Sequence, residues 1–373
     1  MSIVIFIIIL LVLVLVHEFG HFFTAKLFGM RVDEFGFGFP PRLFGFKKGE
    51  TEYTFNLFPI GGFVKIFGES PDDESMSGPD SARALIGKAK WKQAIVLVAG
   101  VVMNFLLAWL LFSIGLMSGV PTSVGSNLPG YELDDVNLLI VSVLPDSPAA
   151  KAGLKLGDAI VSVSSLSTDI GENNENLEDI TPESVKAFVG AHSDKEIEIG
   201  FTRGRSQDVK FTDMTPAPGV VDHKPMIGIS MDQIGTAKLP FFVALKEGLL
   251  LTLSVIKDTA VGLYTLIAEA IMGHGSLAGI TGPVGMVGIV GDAYDFGFAY
   301  LLSFAALISV NLGIINLIPF PALDGGRLFF LLIEKIKGSA INPKFANMAN
   351  TIGFGILILL MVLVTYHDIV RLI

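Results

Sequence analysis

The chain reads as a multi-pass α-helical membrane protein with about four transmembrane helices, a membrane-associated β-hairpin and an inserted extracytoplasmic α+β domain. Three observations predict this. First, 51% of the 373 residues are hydrophobic and only 17% charged, with a mean hydropathy of +0.64, too apolar for a soluble chain of that length. Second, long apolar runs occur at 3–27, 94–117, 300–320 and 352–365, with basic loops after the first and before the last. Third, the stretch 121–235 replaces such runs with short alternating segments and turn residues, and carries more Asp and Glu than Lys and Arg.

The first run consists of Ile, Val, Leu and Phe from Ile3 to Val16, then carries His17-Glu18-Phe19-Gly20-His21 and turns apolar again at Phe22 and Phe23. Only Met1 and Ser2 precede it, so it lacks the basic start and small-residue cleavage site of a signal peptide and is expected to be retained. Two imidazoles and a carboxylate are costly inside a span, and they mark function rather than packing. Positions i and i+4 share one helix face, so His17 and His21 can grip one metal ion. In HExxH zinc hydrolases the residue at Glu18 is the general base. The chain has no cysteine, which excludes disulfides and thiolate sites and leaves His, Asp and Glu as ligands. No basic stripe interleaved with aromatics is present, so no nucleic-acid partner is expected.

The loop after the first run holds Arg31, Arg42, Lys47, Lys48, Lys65, Arg83, Lys88, Lys90 and Lys92; the one before the last run holds Arg327, Lys335, Lys337 and Lys344. By the positive-inside rule both are cytoplasmic, which puts both termini and 121–235 outside. Within the first loop, Tyr53, Phe55 and Leu57 alternate with Glu52, Thr54 and Asn56; Pro59-Ile60-Gly61-Gly62 then turns the chain into a return strand at 63–67. This hairpin, 50–67, is either an ordinary cytoplasmic element or an edge that receives an extended peptide. On the second reading Tyr53, Phe55, Gly61 and Gly62 contact substrate. Residues 240–272 are apolar but carry Lys246, Glu247, Lys257, Asp258 and Glu269, with the three acids eleven apart on one face. An amphipathic helix on the outer surface is favoured over a fifth span. The Gly-rich stretch 273–297 follows as a bent connector. The expected divisions are 1–120, 121–235, 236–298 and 299–373.

A catalytic zinc site has three protein ligands and an open position. His192 and His223 lie in the outside domain, His274 in the connector and His367 at the far end of the last run. The first and third runs cross in the same direction, so their ends reach similar depth. There Pro319 and Pro321 break the helix, and Gly325-Gly326 permits a tight return. Asp324 is thereby a candidate third ligand, or else a cap for the next helix.

HEFGH together with Asn316-x-x-Pro319-x-Pro321-x-Leu323-Asp324-Gly325 resembles the site-2 protease family of intramembrane zinc metalloproteases, and more closely its bacterial branch, the regulator-of-sigma-E protease (RseP) type. The likeness extends to Phe35-Gly36-Phe37-Gly38-Phe39, Gly61-Gly62-Phe63-Val64-Lys65, Ala99-Gly100 with Asn104, and Gly282-Pro283-Val284-Gly285. It implies one Zn2+ per chain held by His17, His21 and Asp324, Glu18 as base, and Asn316 holding substrate or oxyanion. It further implies a transmembrane protein substrate in the bacterial cytoplasmic membrane, such as an anti-sigma factor or a remnant signal peptide. Val101 departs from the Pro that often follows Ala-Gly, and there is room for one PDZ domain rather than two. That domain is suggested by Ser147-Pro148-Ala149-Ala150-Lys151-Ala152-Gly153-Leu154 and Gly157-Asp158-Ala159-Ile160, which resemble a bacterial PDZ pattern. Ile227 and Gly228 then border a peptide groove, and the domain either binds a peptide or excludes bulky substrates. The acidic insert 168–179 reads as a solvated loop. Two rival readings are a catalytically silent PDZ peptide-binding scaffold and a metal transporter; the clustering of polar residues at one membrane face disfavours the second.

Overall fold

The computed structural model describes the chain except residues 70–76, 125–132, 145, 167–174, 194, 205–207, 219–224, 273–280 and 373. The chain divides into two compact units, Met1–Ile114 with Phe242–Tyr294 and Leu301–Ile373, and Gly115–Phe241 with Asp295–Tyr300.

The first unit is built on helices whose apolar length comes straight from the sequence. Helix α1, Ser2–Leu27, has 26 residues and is about 39 Å long. Helix α2 spans Lys90–Ser118. Between them strands β1, Val32–Lys48, and β2, Thr51–Ile66, pair antiparallel through a turn at Gly49 and Glu50. The turn is tied down by Lys26 and Arg83, each 2.6 Å from the Glu50 carboxylate. The hydrogen bond from Lys26, helped by Arg83, holds that carboxyl below its ordinary range.

The expected hairpin 50–67 is corrected here. Phe35 is in register with both Tyr53 and Val64, so residues 34–37 stand between the two halves of β2 that were expected to pair with each other. Rings alternating with glycines make this insertion possible: Phe37 and Phe44 stack on Phe55 at 4.5 and 4.6 Å, and Phe46 stacks on Tyr53 at 5.4 Å. The polar face is the covered one. Thr54 and Asn56 are buried, donating to Glu34 Oε1 at 2.6 Å and to the Gly38 carbonyl at 3.1 Å.

The remaining elements of this unit are α5, Phe241–Ile271; α6, Pro283–Phe296; α7, Phe298–Leu317; α8, Asp324–Lys337; and α9, Pro343–Leu372. Helices α3, Pro148–Lys151, and α4, Pro182–Ala191, belong to the second unit. Among the described residues five helices are long and apolar enough to cross a membrane, one more than the four expected, and the addition is α5. Its Val255, Ile256 and Leu263 join a core made by Ala108 and Phe112 of α2 with Ala306, Val310 and Ile314 of α7. Trp109 Nε1 donates to the Leu245 carbonyl at 2.8 Å, and Thr259 to Asn311 Oδ1 at 3.3 Å. The connector is only partly irregular, since its second half forms α6. The cause is a borrowed cap: Asp368 of α9 accepts from the backbone amides of Gly282 and Gly285, at 3.1 and 2.8 Å. His274 lies outside the described residues, as do His223 and the first half of the acidic insert.

The second unit is a six-stranded sheet, in the order β3-β10-β4-β5-β6-β7. Its strands are β3 Val120–Ser123, β4 Asp134–Val143, β5 Asp158–Ser165, β6 Ile197–Arg203, β7 Lys210–Met214 and β10 Ile229–Ala237. A two-residue ladder pairs β8, Ala217–Pro218, with β9, Pro225–Met226. Helix α4, Pro182–Ala191, starts with a capping box in which Thr181 and Ser184 satisfy each other's amides. Its Val185, Phe188 and Val189 pack on Ile140, Ile160, Val163, Ile197 and Ile199 of the sheet. In the 147–160 motif, Ser147 caps the short helix α3, Pro148–Lys151, and the fully buried Asp158 receives Arg203 at 2.6 Å. That hydrogen bond raises the Arg203 guanidinium above its usual range.

Candidate metal centre

The His pair meets the aspartate that follows α7. His17 Nε2 and His21 Nε2 lie 3.0 and 3.2 Å from the same Asp324 oxygen, and 3.2 Å from each other. Among the described residues this is the one group of His, Asp and Glu with metal-ligand spacing. Donors about 2.0–2.1 Å from a tetrahedral zinc ion stand about 3.3 Å apart. The three atoms therefore fit one ion, and two neutral imidazoles with a carboxylate are a zinc donor set.

Each donor is held by its backbone. In the imidazole of His21, Nδ1 donates to the Val96 carbonyl of α2 at 2.8 Å, which leaves the Nε2 lone pair for an ion. Helix α2 presses close at Gly100, where an added Cβ would stand 2.5 Å from His21 Nε2 and 2.8 Å from His17 Nε2. Gly20 makes the reciprocal approach, since a Cβ there would come within 2.9 Å of the Gly100 Cα. Asp324 is the first residue of α8, with Leu323 as its N-cap and no side-chain cap bond. The carboxylate is thus free of the capping role and faces the imidazoles. The return that places it is strained: Ala322 adopts φ 74°, which costs a non-glycine residue about 1 kcal/mol, and its amide is held by Asn350 at 3.2 Å.

Glu18 sits beside β2. Its carboxylate is hydrogen-bonded by the Val64 backbone, and a Cβ at Gly62 would stand 3.8 Å from Glu18 Cγ and 3.1 Å from Leu15 Cδ2. Arg327, one turn into α8, also faces Glu18 and pairs with Glu69 just past β2. Asn316 is half-buried in the last turn of α7. Of the other candidates, Gly61 and Gly62 lie buried on the strand near Glu18, whereas Tyr53 and Phe55 are spent on the aromatic stack of the sheet. Ile227 and Gly228, expected to border a peptide groove, lie between β9 and β10 and form no strand. Gly228 turns left-handed at φ 82°, Ile227 is buried in the core, and their carbonyls accept from Ala149 and Leu144. In the sequence Arg327 stands only as a loop charge and Gly100 only as part of a resembling motif; their place beside Glu18 and the His pair arises when α8 and α2 close on α1.

The model of peptidase family M50 matches residues 5–360 of this chain. A protein of Clostridium acetobutylicum is 34% identical over 96% of this chain and 94% of its own length. The regulator of sigma-W protease RasP of Bacillus subtilis is 30% identical over 100% of this chain and 99% of its own. The zinc metalloprotease RasP of Oceanobacillus iheyensis is 29% identical over the same shares, 100% and 99%.

Proposed function

The chain belongs to peptidase family M50, the site-2 proteases, and on that footing we propose that it is an intramembrane zinc metalloprotease cutting transmembrane segments of single-pass proteins. The observation that carries this reading is the convergence of His17, His21 and Asp324 on one point, with Glu18 near enough to interact with His21 and Asp324. Zinc bound there supplies a Lewis acid and a water of lowered pKa. Glu18 takes the proton of the attacking water at a carboxylate oxygen and later returns it to the leaving amine nitrogen. Asn316 donates its side-chain amide to the developing oxyanion, an effect of about 3 kcal/mol where such donors have been removed.

A helical substrate has its amides satisfied internally and must unwind before it can be cut. Residues 62–65 pair with 34–37 on one side only among the described residues, and this free edge runs beside Glu18. It suits strand addition by the unwound segment. Gly62→Val, whose Cβ meets Leu15 and the Gly36 carbonyl at 3.1 and 3.0 Å, is expected to lower cleavage by about 10²-fold while zinc content stays unchanged. Wild-type cleavage by this variant would remove the edge from the scheme.

The shared site supports one topology over its alternatives. His17 and His21 lie toward the end of α1 and Asp324 just beyond α7, which supports a reading in which both helices cross in the same direction. With α2 returning once, α5 and α6 together make an even number of crossings. A model with α5 lying against α2 and α7 without crossing fits this parity and its five charges. Both termini and the 121–235 domain, of PDZ type, are then outside the bacterial cytoplasmic membrane, and the metal centre is near the cytoplasmic face. In that domain Ile229–Asp232 of β10 pair, among the described residues, with β4 alone, which suits a peptide ligand better than Ile227 and Gly228. Anti-sigma factors, the substrate class the family resemblance implies, agree with a relative named regulator of sigma-W protease, and remnant signal peptides are the second candidate.

Purified protein should contain one zinc per chain and cut single-span peptides; a chelator should stop cleavage and added zinc restore it. A zinc-free, inactive preparation that still binds peptide would favour the scaffold reading instead.

A further inference from the structure

Asn104 is fully buried on α2, one turn beyond Gly100, with its Nδ2 3.2 Å from His17 Nδ1. In that orientation two nitrogens face each other, and Asn104 Oδ1 is buried without a hydrogen-bond partner among the described residues. For His17 Nε2 to offer its lone pair to an ion, Nδ1 must carry the ring proton, and a buried N–H needs an acceptor. A half-turn of the amide about its Cβ–Cγ bond puts Oδ1 where Nδ2 now stands and provides that acceptor. The backbone of Asn104 is fixed for this task, since Ser309 of α7 donates to its carbonyl at 2.8 Å. The arrangement matches the His21–Val96 bond on the other ligand, except that here a side chain supplies the oxygen.

We infer that Asn104 is a positioning residue, whose Oδ1 accepts the Nδ1 proton of His17 and so fixes the tautomer and ring orientation with which His17 meets the metal. This rests on the reading that His17, His21 and Asp324 hold zinc. Loss of such an outer partner weakens metal binding by about 10–100-fold.

The test is zinc affinity of the full-length, detergent-solubilised protein, measured by competition with a chromogenic chelator, with apo-protein melting temperature as a check on folding. Asn104→Leu, similar in shape but without an acceptor, is expected to bind zinc about 10–100-fold more weakly at unchanged apo stability. Asn104→Asp restores an acceptor and is expected to bind at least as tightly as wild type. A packing role predicts the reverse order, since Leu suits an apolar interface and a buried carboxylate does not. Wild-type affinity in Asn104→Leu would overturn the inference. Should that variant not fold, Asn104→Asp decides alone: affinity retained supports the inference, and a loss beyond tenfold overturns it. Absence of zinc from the wild-type protein would instead refute the metal site itself.

Discussion

Replacing Glu18 by Gln is expected to leave one zinc per chain and to lower peptide cleavage by about 10²–10⁴-fold, the range that general-base catalysis contributes. The two side chains have the same shape, and a Gln oxygen still accepts from the Val64 backbone, so position and fold are kept. Glu18 is not among the three donor residues, so ion binding is untouched. What Gln lacks is a basic oxygen, and without it neither the water nor the leaving nitrogen has its proton partner. Zinc content and single-span peptide cleavage, measured on the same preparation, check both halves. Cleavage within tenfold of wild type would show that another group is the base, and Glu18 would lose its role.

The sequence made the membrane helices legible because their signal is additive: twenty apolar residues need no partner to be recognised. Asp324 was readable as a candidate ligand for a different reason. The parity of crossings and the Pro319–Pro321 break put it at the right depth, although choosing between ligand and cap required the structure. The sheet was harder. In Phe35-Gly36-Phe37-Gly38-Phe39 the glycines weaken the strand signal, yet they make room for the rings that insert residues 34–37 between the halves of β2. Alternation at 52–57 located two faces correctly without saying which is covered, and Thr54 and Asn56 turned out to be inside. Gly100 and Asn104 illustrate the limit most plainly. On an apolar helix they look like packing residues, and their meaning lies in contacts with α1: Gly100 against both imidazoles, and Asn104 with His17 across 87 positions of chain.

Asp324→Ala is expected to weaken zinc binding by more than the about 100-fold that outer-partner losses reach, and to abolish cleavage with it. Its carboxylate is the one anion in the donor set and the only donor not carried by α1. Folding should survive. Leu323 occupies the N-cap position and no side chain caps α8, so removing the Asp324 carboxylate forfeits at most its attraction to the helix dipole, about 0.3–1 kcal/mol. The two readings of this residue therefore separate cleanly. As a first-turn acid with no metal role, Asp324→Ala would lose a few degrees of melting temperature and keep its zinc. As a ligand, it would show the same small loss in the apo protein and lose the metal as well. Asp324→Asn sharpens the comparison, since the amide retains the shape and one oxygen but removes the charge that balances the cation. Its affinity should fall between those of wild type and the alanine variant. Chelator competition alongside apo-protein melting resolves the two, and full zinc occupancy in the alanine variant would disconnect α8 from the metal centre.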